Sequence, residues 1–130
     1  MTIASRSRAA LAHLRSISRG VPVPVNADLE GGFATAPEAV GANVAAATAT
    51  GIAGLSIEDS TGDVSSPLYD FTLSVERIAA ARLAIDASGT GVLLTGGFLQ
   101  AAREIAEKGT FTGLASAVPF GEINGSFGAE

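Results

Sequence analysis

Two pairs of carboxylates end the first two β-rich runs of this chain: Asp28 with Glu30, and Glu58 with Asp59. Asp28 and Glu30 stand two positions apart, so in an extended segment their side chains point the same way. Carboxylates crowded together repel one another, and burial raises their pKa values unless something positive is bound. A hard divalent cation meets that need. Mg²⁺ prefers oxygen ligands, keeps several waters, and takes one or two carboxylates together with groups from a substrate. The same acids read equally well as solvated loop residues or helix N-caps, and their spacing leaves both readings open.

The elements that must position these acids alternate along the chain. Met1–Gly20 reads as an amphipathic helix with Ala10, Leu11, Leu14 and Ile17 on one stripe. Arg6, Arg8, Arg15 and Arg19, with several serines and no acid, also give this stretch the look of an organellar presequence. Val21–Ala27 is expected to be a short buried strand, since Pro22 and Pro24 push their neighbours toward extended conformations. The loop Asp28–Gly32 follows, and Pro37 then opens a helix that runs to about Thr50. Ala53–Ile57 is the next strand, leading into the acidic loop Glu58–Asp63. A helix from about Thr72 to Ala87 carries Val75, Ile78, Ala79, Leu83 and Ile85 as its apolar positions. Val92–Thr95 is the third strand, Gly96-Gly97 a turn, Phe98–Lys108 a helix, and Thr110–Glu130 a short helical segment with a tail.

Apolar strands alternating with helices predict an α/β unit whose parallel sheet is covered on both faces. The C-terminal ends of its strands then share one edge, where such folds hold ligands. Asp28, Glu30 and Glu58 all arrive there.

Composition bounds the rest. A chain of 130 residues, 47% hydrophobic, supports one domain with one core. The absence of cysteine excludes disulfides, zinc–thiolate sites and thiol nucleophiles, and suits a reducing, cytoplasmic compartment. A formal net charge of -5 argues against nucleic acid as a partner. No apolar run reaches the ~20 residues that span a bilayer, so no membrane association is expected.

Pro24-Val25-Asn26-Ala27-Asp28-Leu29-Glu30-Gly31-Gly32-Phe33 resembles the strand-and-loop signature of the isocitrate lyase/phosphoenolpyruvate mutase superfamily. Gly54-Leu55-Ser56-Ile57-Glu58-Asp59-Ser60 resembles its second signature, and Leu68 through Gly96 continues in register. The resemblance implies a (β/α) barrel that uses Mg²⁺ to bind a small 2-oxo acid or its enolate, for C–C lyase or phosphonomutase chemistry. It further implies that Asp28 and Glu30 are metal-site acids after the third barrel strand and Glu58 the one after the fourth. Asp59 and Ser60, beside them, become the substrate-binding candidates.

Departures from that pattern are equally plain. The Lys-Lys-Cys-Gly-His segment of the lyases is missing, and Gly97 stands where relatives carry a substrate-gripping Arg. Residues 97–124 resemble the C-terminal helices instead, so barrel strands one, two and six to eight have no counterpart. A full barrel needs roughly 250 residues. The expectation is therefore a single partial barrel domain over 1–130, with three parallel strands, several barrel strands missing, and C-terminal helices at 98–120 through which copies associate. Two functions follow: a Mg²⁺-dependent lyase or mutase, or a catalytically silent remnant that at most binds metal or subunits.

Other residues carry less. His13, the sole histidine, falls on the first helix, far from the acids. Tyr69 and Asp70 either line the site or, for Asp70, cap a helix. Ser60 and Thr61 either contact substrate or satisfy a turn. Gly89, Gly91, Gly96 and Gly97 lack a phosphate-loop fingerprint and read as turns.

Overall fold

The computed structural model describes residues 2–97, which form three parallel strands and three helices in the order α1(Ile3–Gly20), β1(Asn26–Asp28), α2(Pro37–Thr48), β2(Gly54–Glu58), α3(Phe71–Ser88), β3(Leu93–Gly97). The expected helix at 98–108, the segment 110–130 and the association helices at 98–120 lie outside these residues.

Thr2 caps α1, its side chain accepting from the Ser5 amide at 3.1 Å. Leu11 and Leu14 pack on the core as expected, whereas Ile17 is exposed and Ser7 takes the buried place, bonded to Asn43 of α2. The helix is thus joined to the fold by a polar contact as well as an apolar stripe.

The first strand is shorter than expected. Val21 and Val23 are exposed and β1 spans only three residues. Pro22 and Pro24 have no N–H to donate to a ladder, so pairing begins only where Val25 O accepts from Ala53 N and Gly54 N. Pro37 begins α2, which stops at Thr48. Thr50 then folds back on Ala47 O through its amide and hydroxyl, and Gly51 turns away at φ 91°.

The sheet order is β1-β2-β3. Asn26, Ala27 and Asp28 pair with Gly54, Leu55 and Ser56, and Gly54 through Glu58 pair with Leu93 through Gly97. Gly96 and Gly97 therefore continue a strand, where a turn was expected. Paired residues in a parallel sheet share a face and alternate residues change face. Ala27, Leu55 and Ile57 lie on one face, in a buried cluster with Val40, Val44 and Ala47 of α2 and Ala81 and Ile85 of α3. Asn26, Asp28, Ser56, Glu58, Leu93 and Thr95 lie on the other face, exposed or half-buried.

Among the described residues the sheet is covered on one face only, which corrects the expectation of two covered faces. Its strands are too polar on the second face to demand apolar cover. The result is an unclosed arc of a (β/α) barrel, with its helices outside and a polar inner face.

Asp70 caps α3, accepting from the amides of Thr72 and Leu73, and Gly89 ends it in the left-handed conformation at φ 65°. The residues α3 buries are Ser74, Arg77, Ala81 and Ile85, while Leu83, expected in the core, is 70% exposed.

Candidate active site at the C-terminal edge of the sheet

Asp28 ends β1 and Glu58 ends β2, so the parallel register sets both at the C-terminal edge and on the polar face. One oxygen of Asp28 accepts from the Glu30 amide at 2.8 Å, bending the chain out of the strand. The backbone nevertheless follows β2 for two further residues. Leu29 N donates to Ser56 O at 3.0 Å, and Glu58 N donates to Glu30 O at 2.8 Å. Glu30 and Glu58 are thereby neighbours at the backbone.

Their side chains part. Glu30 adopts φ 51°, a left-handed conformation, and its carboxylate pairs with Arg6 of α1 at 2.7 Å. Glu58 stays half-buried on the open face, where Gly97 makes room for it: a Cβ at 97 would lie 3.3 Å from Glu58 Cγ. Among the described residues no group of three or more His, Cys, Asp or Glu side chains gathers closely enough to hold a metal ion. The sequence thus leads to the right edge, yet the three expected acids do not form a closed cluster. Their oxygen chemistry still fits Mg²⁺, which needs only one or two carboxylates when waters and substrate oxygens complete its shell. Asp28 and Glu58 both end strands at that edge, on the polar face.

Asp59 has the opposite parity to Glu58 and is 3% exposed. Its amide donates to Gly97 O and its carbonyl accepts from Tyr69 N, so it anchors the β2–α3 loop. Ser60 bridges to Leu68, and its hydroxyl accepts from Gly62 N at 3.3 Å. Thr61 Oγ1 donates to Ser66 O at 2.5 Å and accepts from Asp63 N. Asp63 in turn accepts from the Ser65 hydroxyl and amide, contacts that hold its carboxyl below the ordinary 3.8. These hydroxyls satisfy a turn, as one of the two sequence readings held. Asp70 is likewise a helix cap, and His13 is exposed on α1.

Arg77 was not among the residues singled out from sequence. It is 1% exposed, its guanidinium donating to the carbonyls of Gly31, Ala34 and Thr35 and lying 3.9 Å from the centre of the Tyr69 ring. Burial lowers its pKa, an effect opposed by Tyr69. The available signal was a charged residue at a position where the helical period of α3 demands a core residue.

The unclosed parallel sheet, with acids at its C-terminal edge and helices on its outer face, defines part of a (β/α)-barrel type of fold. The family model for phosphoenolpyruvate phosphomutase matches residues 3–103, and the chain belongs to that family. A proposed phosphonomutase from Burkholderia cenocepacia is similar in structure, with a TM-score of 0.65 and 32% identity, over 71% of this chain and 36% of that one. A proposed lyase/mutase from the same species gives a TM-score of 0.56 and 25% identity, over 88% of this chain and 73% of that one. The fold of 2,3-dimethylmalate lyase is also similar, with a TM-score of 0.69 and 24% identity over 88% of this chain. The chain spans 36% and 38% of the length of the first and third of these. No curated protein sequence matches it significantly. Among the described residues no helix is long and apolar enough to cross a membrane.

Proposed function

We propose that this chain binds Mg²⁺ through Asp28 and Glu58 and there takes up a small 2-oxo acid, for phosphonomutase or C–C lyase chemistry. The observation that carries this reading is the register, which brings the ends of β1 and β2 together on the polar face. When bound, the metal supplies positive charge that stabilises the enolate of a pyruvate-like group. Glu30, with one oxygen on Arg6, joins the ligand set through its other oxygen or by giving up Arg6. Asp59 and Ser60 serve the substrate by holding the base of the β2–α3 loop. Association of copies through residues 98–120 belongs to the same reading, as does work in the cytoplasm, which a cysteine-free chain suits.

A second reading is a chain that binds metal or subunits without turnover. It is favoured by the open face itself, where the described strand residues offer no basic side chain to grip a carboxylate or phosphonate. Thermal unfolding with and without Mg²⁺, followed by phosphonomutase and lyase assays, separates the two. The enzyme reading expects Mg²⁺ to raise the transition in the parent but not in Glu58→Gln, and product to form. Stabilisation without product selects the silent binder, and a transition indifferent to Mg²⁺ removes the enzyme reading and leaves the silent chain subunit binding at most.

A further inference from the structure

The β1–α2 loop that leaves the candidate metal site is bent in an unusual way. Glu30, Gly32 and Phe33 have φ of 51°, 72° and 55°, so three of four consecutive residues are left-handed and two of these carry side chains. Such backbone persists only where its surroundings hold it. Arg77 shares the holding with Asn43, whose side-chain amide donates to Gly32 O at 2.9 Å. The planar fork of Arg77 reaches Gly31 O, Ala34 O and Thr35 O, so one guanidinium spans the loop from just after Glu30 to just before α2. On its other side it lies over Tyr69 of the β2–α3 loop. The two loops also touch directly: a Cβ at Gly31 would sit 2.9 Å from Ser60 O and 3.5 Å from Arg77 Nη2. One bond, Glu58 N to Glu30 O, then links this clamped region to the carboxylate edge.

We infer that Arg77 is a positioning residue for the site: it clamps the β1–α2 loop against the β2–α3 loop, and so holds the two strand ends that carry Asp28 and Glu58 in place. The inference rests on the metal reading proposed above. Lysine cannot replace the clamp, because a single ammonium has no planar fork to span three carbonyls and no flat face to lay on a ring.

The test uses the full chain, Mn²⁺ as the probe, and two variants. Arg77→Lys removes the fork, whereas Gly31→Ala wedges the loops apart and leaves Arg77 and the core in place. Mn²⁺ binding is followed by electron paramagnetic resonance, and amide hydrogen exchange is measured without metal. Both variants are expected to weaken Mn²⁺ binding by about tenfold or more, the usual effect of losing a group that orients ligands. The Glu58 and Gly32 amides should exchange faster, while the mid-helix amides of Val44 and Ala81 keep the parent rate. If Arg77→Lys does not fold, Gly31→Ala carries the comparison. Parental Mn²⁺ affinity in the folded variants overturns the inference and leaves the metal reading standing. Exchange that accelerates equally at all four amides reduces Arg77 to a core stabiliser and also overturns it. A parent that binds no Mn²⁺ removes the metal reading and the positioning role together.

Discussion

Glu30 and Arg6 meet in the ion pair that joins α1 to the site, both side chains being largely exposed. Water screens such a pair and two long side chains must be ordered to form it, so Arg6→Ala is expected to cost no more than about 1 kcal/mol in urea unfolding. Freed of Arg6, Glu30 becomes available to a cation, and Mn²⁺ affinity is expected to rise or hold, never to fall. A fall would mean that Arg6 orders the site instead of occupying one of its acids. Asp63 offers a second local test. Its Ser65 hydrogen bonds favour the carboxylate, so the folded form titrates below the ordinary value of 3.8. A depressed carboxyl pKa stabilises the fold at neutral pH, and that contribution fades as pH falls below 3.8 through the folded value. Carbon-detected NMR titration of the parent and of Ser65→Ala should show the Asp63 midpoint move upward in the variant.

At the scale of the elements, α3 shows both what the sequence discloses and what it conceals. Its cap was in view because an Asp before a run of helix formers is a recognised start signal. Asp70→Ala is accordingly expected to lower stability by about 1 kcal/mol, read as a shift of the urea midpoint at unchanged slope. The face it buries was in view only in part, since Ile85 is buried and Ile78 packs against the core as expected. The apolar residues of α3 point to Leu83, but the structure buries Ser74 and Arg77, because Arg77 finds three carbonyls from a loop more than forty positions earlier. No local pattern encodes a partner at that distance. The short β1 has a simpler cause: the prolines that marked Val21–Ala27 as extended have no N–H to donate to a ladder at positions 22 and 24. The acids reached the predicted edge because strand ends are set by local pattern. Where their side chains turned depended on Arg6 and on the left-handed backbone at Glu30, neither of which spacing reveals.

For the whole molecule, the question is how three strands of a barrel stand with one face that no described residue covers. The packed face carries the stability: Leu55 is fully buried between the strands and the helices, in one cluster with Val40, Val44 and Ile85. The open face is built from Asn26, Asp28, Ser56, Glu58 and Thr95, side chains that water can satisfy, so its exposure does not forfeit hydrophobic burial. Leu93 is the exception at 73% exposed, and its pairing with Gly54 puts it on that same face. Two substitutions therefore separate the faces. Leu55→Ala is expected to cost about 2–5 kcal/mol, the range for emptying a packed core position, a large share of what a domain of this size holds. Leu93→Ser is expected to stay within about 0.5 kcal/mol of the parent, as surface changes do, at every protein concentration. A loss at Leu93 that grows with protein concentration would show instead that another copy covers the face, and the acids at its edge would then line an interface between chains.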